Sequence, residues 1–295
     1  MRVRLPPSLP ICPRRSVSLH AFARRRTGVA NRRLGQLFSA RSSIGLGCSP
    51  FKAERWVRFP YGLPFQRVIY CMIMDKEKAC FCVPSTSNER DWKSFDDTYL
   101  NQILCRSLEC KTNDYDIDIY IGYDSDDKLY SQIELPKTHK GMNLIWKSFV
   151  NEKGNPCKIW TELSKEAVKD NHDYFMVCGD DIVFDQNDKW IKVFIDQLKR
   201  NNNIGYSAGW SNNDNIPTQF MFHKTHLDIF GFVYPPQIHN WFCDDFIHGL
   251  YGKQFGNWMK EYKHLNAGGP QRYKPKNDEK LCKLLIKRYK KTLPF

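Results

Sequence analysis

The chain has 295 residues, 45 Lys+Arg against 32 Asp+Glu, and a formal net charge of +13. The excess sits in residues 1–73, with fourteen basic side chains and one acidic one, while residues 74–295 carry 31 of each and are neutral. A neutral body of that length holds one substantial core, which excludes a disulfide-stapled miniprotein, a coiled coil and a wholly disordered chain.

Residues 1–73 combine Arg, Ser and Pro with almost no acid, and the runs Arg14-Arg15, Arg24-Arg25-Arg26 and Arg32-Arg33 repel one another in a compact state. The segment reads as a disordered leader. It is either an extension foreign to the mature protein, with translation starting near Met74, or an organellar transit peptide. The most apolar stretch, 68–74, is only seven residues long. A spanning helix needs about 20, so no transmembrane segment is expected. Eleven cysteines without a CxxC pair give no zinc framework and suit reduced thiols in an intracellular, cytoplasmic protein.

In chain order, 79–83 (Ala-Cys-Phe-Cys-Val) predicts a buried strand ended by Pro84 and a polar Ser-Thr-Ser-Asn loop. Leu100, Ile103, Leu104 and Leu108 share one helical face over 95–108. Residues 116–121 alternate Asp and Ile as a second strand, broken at the acidic loop 122–127. A helix is expected over 160–169 and a buried strand over 174–178, which runs into Gly179-Asp180-Asp181. Then follow a helix over 188–200, strands at 204–208 and 218–222, and helices near 224–230, 244–251 and 278–290. Alternating strands and helices predict an α/β fold, a mostly parallel sheet flanked by helices. Ligands of such sheets bind at the carboxyl ends of strands, where the polar and acidic loops fall.

Gly179-Asp180-Asp181 is the sharpest chemical signal. Adjacent carboxylates at a buried strand end repel each other and favour a cation between them. Oxygen ligands of this kind suit Mg²⁺ or Mn²⁺ bridging a diphosphate.

Four segments together resemble the GT-A-fold, nucleotide-sugar-dependent glycosyltransferases of the family-2-like group. They are 82–90, 117–127, 175–184 and Asn240-Trp241-Phe242-Cys243-Asp244-Asp245-Phe246. The resemblance implies a single GT-A-like, Rossmann-like catalytic domain over 74–295. It implies a nucleotide-binding loop with Pro84, Ser85, Thr86, Asn88 and Arg90, and a base- and ribose-holding loop with Tyr123, Asp124 and Asp126. Gly179-Asp180-Asp181 departs from a strict DxD. Asp181 is the preferred metal ligand, and Asp180 is a second ligand or a sugar- or ribose-facing partner.

The same resemblance makes Asp245 the general base of an inverting displacement, with Asp244 its alternative. His248 is a candidate late metal ligand. Trp241 is placed against an acceptor sugar, and Trp210, with Asn212 and Asn213, in the donor-sugar pocket. The expected partners are a nucleotide-sugar donor, a UDP-sugar foremost, and a carbohydrate, glycan or protein hydroxyl acceptor. Nucleic acid is not expected, because a neutral body offers no phosphate-neutralising surface. Two other readings stay open: a non-catalytic carbohydrate- or nucleotide-binding module of the same fold, and a protein built like the Gly-Asp-Asp viral RNA polymerases.

Overall fold

The computed structural model describes residues 77–187, 189–268, 274 and 279–294. The leader reading of residues 1–73 lies outside the described residues. Strand β1 (Glu77–Pro84) is followed by short 3-10 and π turns, α1 (Arg106–Leu108) and a further 3-10 turn (Glu109–Asn113), and then by β2 (Tyr115–Asp124). Next come β3 (Thr138–His139), β4 (Met142–Phe149), α2 (Pro156–Lys169), β5 (Tyr174–Val177), β6 (Ile182–Val183) and α3 (Trp190–Arg200). The chain continues through β7 (Tyr206–Trp210), β8 (Phe220–His223), α4 (Thr225–Phe230), α5 (Cys243–Phe255), β9 (Gly256–Lys263), β10 (Leu265–Asn266) and α6 (Glu279–Tyr289).

Eight strands form one sheet in the order β3-β4-β2-β1-β5-β8-β7-β9, and β10 pairs with β6 in a separate ladder. Strands β4, β2, β1 and β5 are parallel neighbours; β8 runs antiparallel between β5 and β7, and β3 antiparallel to β4. The fold is therefore α/β with a mostly parallel sheet flanked by helices. Burial follows the two-residue period of a strand. Ala79, Phe81 and Val83 of β1 join Leu100, Leu104 and the α3 residues Trp190 and Phe194 in one core. Cys80 and Cys82 face the opposite core, with Leu163 of α2, Phe246 and Leu250 of α5, and Leu285 of α6. Gly122 lets α2 press onto β2, since a Cβ there would lie 2.3 Å from Ile159 Cγ2.

Three expectations need correction. The single helix over 95–108 is a 3-10 turn (Phe95–Asp97), a π-helix (Leu100–Cys105) and only then α1. The inward residues Leu100 and Leu104 are buried as expected, but the backbone widens to seat them. Strands β4 and β9 were not anticipated. In β4 apolar Ile145 interrupts the alternation of Met142, Leu144 and Trp146 with Asn143 and Lys147, and in β9 the consecutive exposed Lys260 and Glu261 do so, so neither shows a clean two-residue period.

Three histidines are buried among the described residues, His172, His226 and His264. His226 Nδ1 accepts from Tyr251 Oη at 2.6 Å while Nε2–H donates to the Val233 carbonyl at 3.0 Å. His264 is fully buried, packs on Phe184 and Trp190, and neither ring nitrogen has a partner among the described residues. Burial pushes His226 down to about 4 and His264 to about 3. An unfolded histidine takes a proton near pH 6.5, so both contribute stability above that pH and lose it as pH falls toward the folded values. Each is expected to cost about 2 kcal/mol of stability between pH 7 and pH 5, at about 1.4 kcal/mol per pH unit below 6.5. His264→Phe, which suits the aromatic surroundings and removes an unpaired buried donor, is expected to flatten its half of that acid dependence in urea titrations at the two pH values. An unchanged pH dependence would show that His264 is not held neutral.

Candidate active site

Strand β1 lies between β2, its successor on one side, and β5 on the other, so the chain reverses its direction of progress across the sheet at β1. The crevice outside the carboxyl ends of strands at such a reversal is where open α/β sheets hold ligands. A cavity of about 720 Å³ opens there. Its lining includes Pro84, Ser85 and Thr86 after β1, Asp124 at the end of β2, Gly179 and Asp181 after β5, and Trp241 to Asp245 at the start of α5. That volume suits a small-molecule or cofactor ligand.

The loop after β1 is held from below. Asp127 Oδ2 accepts from Ser87 N at 2.8 Å and Thr86 Oγ1 at 3.0 Å, and Oδ1 accepts from Ser87 Oγ at 2.6 Å. Oδ1 also accepts from the backbone of Leu129 and Tyr130, each at 3.0 Å. Burial alone would raise this carboxyl, but the donors outweigh it and hold Asp127 below the usual carboxylate range. It is therefore a fixed anion that shapes the loop.

Asp180 and Asp181 part company. Asp180 is fully buried and Oδ2 accepts from Ser85 Oγ at 2.6 Å, while Tyr130 Oη lies 2.7 Å from the same hydroxyl. It ties the β5 loop to the β1 loop and does not line the cavity. Asp181 does line it. Its backbone carbonyl accepts from Ala267 N at 2.9 Å. A Cβ at Gly268 would lie 1.7 Å from Asp181 Oδ2, and one at Gly179 would lie 2.6 Å from Oδ1. A side chain at either place would push this carboxylate out of its observed position.

Asp124 sits at the cavity edge, buried, and Oδ1 has no partner among the described residues. Burial, then the charge of Asp126, raises its carboxyl. Across the cavity, Phe242 takes a left-handed φ of 69°, which is costly for a bulky residue and marks a turn held by its surroundings. That turn aims Asp244 and Asp245 from the first turn of α5 into the cavity, where the helix dipole favours carboxylates. Asp244 keeps some contact with the cavity but is enclosed by protein. Desolvation raises it to about 7, helped by the Asp245 charge and opposed by the Cys243 thiol, whose Sγ donates to Oδ1 at 3.6 Å.

Trp241 stands half-exposed at the rim and Asn213 lines the wall. Several expected residues lie elsewhere. Asp126 is exposed on its loop, and its buried neighbour Asp127 does the organising. Tyr123 packs on Tyr130 and Trp146. Asn88 and Arg90 lie beyond the cavity lining, Arg90 with its guanidinium 5.0 Å from the centre of the Tyr99 ring. Trp210 donates through Nε1 to Asp214 at 2.9 Å and carries Lys263 on its ring face. His248 Nδ1 meets Tyr206 Oη at 2.8 Å and lies outside the cavity lining.

Sequence reasoning also missed Asn155, Trp160 and Asn266 on the cavity wall, where Asn240 of the late aromatic-plus-acid segment joins them. Asn155 caps α2 by accepting from Lys158 N at 3.3 Å, and Asn-Pro before a helical run is a start signal that could have placed it. Trp160 donates through Nε1 to the Cys178 carbonyl at 3.0 Å, beside the acidic turn; nothing local in the sequence marks that contact.

Among the described residues no three His, Cys, Asp or Glu side chains converge to make a metal cage. A chain with this sheet and this acid-lined crevice belongs to the α/β class whose ligands sit at strand ends. The sequence matches no family model and no curated protein.

Proposed function

We propose that the chain is a metal-dependent glycosyltransferase of the GT-A type, family-2-like. It would move a sugar from a nucleoside-diphosphate sugar, with UDP as the nucleotide, to a hydroxyl of a carbohydrate, glycan or protein, with inversion. One observation carries the reading: Asp181 after β5 and the Asp244–Asp245 pair of α5 face one cavity at the chain-reversal point of the sheet. That arrangement separates a carboxylate for a cation from carboxylates for a proton.

The donor set fits a metal that arrives with its ligand. Mg²⁺ and Mn²⁺ bind through one or two carboxylates plus substrate phosphates and keep several waters, so a full protein cage is not required. Asp181, given room by Gly179 and Gly268, would hold it; Asp180 is occupied with Ser85 and supports the turn. When bound, the ion would supply charge neutralisation for a leaving diphosphate. Ser85 and Thr86, fixed through Asp180 and Asp127, orient the nucleotide side of the cavity. Trp241 offers an apolar face at the rim to a sugar ring. The general base must be basic enough near neutral pH. Asp244, raised to about 7 by desolvation, meets that requirement, and we assign it the base, with Asp245 beside it orienting the acceptor hydroxyl.

The polymerase-like reading fits poorly, because Gly179-Asp180-Asp181 does not close a hairpin. Strand β5 pairs with β1 and β8, while β6 pairs with β10. Titration calorimetry of the full chain with UDP, with and without Mn²⁺, tests the proposal. Metal-dependent binding is expected, and a folded chain that binds neither UDP nor GDP in the presence of Mn²⁺ would overturn it. A non-catalytic module would bind the donor and leave it unturned over.

A further inference from the structure

Helix α6 segregates its side chains by face. Cys282 and Leu285 are buried, with Leu281, Ile286 and Tyr289 packed against the same core. The helix also seats on α5: Cys282 Sγ donates to the Phe242 carbonyl at 3.6 Å, and a Cβ at Gly249 would lie 2.5 Å from Ile286. The opposite face exposes Lys280, Lys283, Lys287 and Arg288 at spacings of three, four and one, and Lys290 and Lys291 continue it. Residues 279–295 hold six basic side chains and one acidic, Glu279, which pairs with Lys283 at 2.6 Å. Since residues 74–295 are neutral, residues 74–278 carry twenty-five basic and thirty acidic side chains. The two stretches are thus net acidic by five and net basic by five. In the middle of the basic face Leu284 is 63% exposed, one of three large hydrophobics so displayed among the described residues.

We propose that this face of α6 is a docking surface for an anionic lipid bilayer. A bilayer interface accepts clustered Lys and Arg against its headgroups and an isolated apolar side chain just beneath them. No stacking aromatic lies on the exposed face, as single-stranded nucleic acid would want. The inference stands apart from the glycosyltransferase reading. If both hold, the bilayer lies one helix away from the carboxylates of α5.

The full chain, mixed with phosphatidylcholine vesicles containing about 30% phosphatidylserine, tests this by lysine-acetylation footprinting. Lys280, Lys283 and Lys287 are expected to lose reactivity with those vesicles and keep it with pure phosphatidylcholine, while exposed Lys192 is unaffected. Lys280→Ser/Lys283→Ser/Lys287→Ser/Arg288→Ser is expected to weaken sedimentation with the anionic vesicles by about fivefold per charge removed. Leu284→Ser, which leaves the charge intact, is expected to weaken it by about threefold or more, a fraction of the transfer energy of a leucine side chain. All five side chains are exposed, and an unchanged melting temperature shows that the variants fold. Reactive α6 lysines on vesicles that do bind the chain would place attachment in another segment and overturn the proposal. Protection of the same lysines by RNA or polyglutamate, and not by vesicles, would overturn the choice of lipid.

Discussion

Asp181→Asn is expected to remove the metal dependence of UDP binding, weakening it by about 100-fold or more in the presence of Mn²⁺, because the substitution takes away the anionic oxygen that a hard cation selects. The fold should survive. Asp181 lies at the cavity surface, and the hydrogen bond that its backbone carbonyl accepts from Ala267 N at 2.9 Å is kept. Calorimetry with and without Mn²⁺, beside a thermal melt, reads both quantities. Gly268→Val gives an independent check, since it leaves the carboxylate in place but drives a side chain against Oδ2. The same loss is expected. Asp180→Asn should behave differently: Asp180 is buried and holds Ser85, so its loss should lower stability by about 1–3 kcal/mol as a disturbed buried hydrogen bond. Equal effects of the Asp180 and Asp181 substitutions on metal dependence at unchanged stability would refute the division of labour drawn here.

Asp244→Asn is expected to lower the transfer rate by about 10²–10⁴-fold while sparing donor binding, the range associated with removing a positioned general base. In the native chain the rate should rise with pH through about 7 as Asp244 loses its proton. The stability consequence has the opposite sign. A carboxyl whose folded value lies above its unfolded one favours folding below the unfolded value and loses that contribution as pH rises through the folded one. Between about pH 4 and 7 Asp244 therefore becomes steadily more costly. At pH 8 Asp244→Asn should stabilise the fold by up to about 4 kcal/mol, an upper bound because the side chain retains contact with the cavity. An inactive variant that melts higher is the signature of a site kept at the expense of stability. If Asp245→Asn abolishes the pH inflection and Asp244→Asn does not, the base is Asp245 and the present assignment fails.

Much of the scaffold could be read from local pattern. The apolar runs of β1 and β5 and the Asp–Ile alternation of β2 are strand signals on any reading, and each ends in the polar or acidic loop that now lines or supports the cavity. The amphipathic stripes of α3 and α6 were equally plain. Strand β4 was missed although Met142, Leu144 and Trp146 alternate with Asn143, Ile145 and Lys147, because Ile145 blurs the period. Strand β9 was missed because it closes one edge of the sheet, with Lys260 and Glu261 exposed. Such residues suit an edge. They do not announce a strand.

Within the site, residue type was legible and direction was not. Composition and spacing determined that acids gather after β2, after β5 and at the start of α5, since those positions follow from where apolar periodicity stops. Only the tertiary structure decided which member of each acidic group meets the cavity. Asp180 turns inward because Ser85 crosses from β1 to receive it. Asp127 turns under the loop because the Thr86 and Ser87 donors converge on it. Asp181 turns outward because Gly179 and Gly268 leave it space. The partners in these contacts lie up to 95 residues apart. Hydrogen bonds and close approaches of that reach depend on strand order and register, which no local run of sequence specifies.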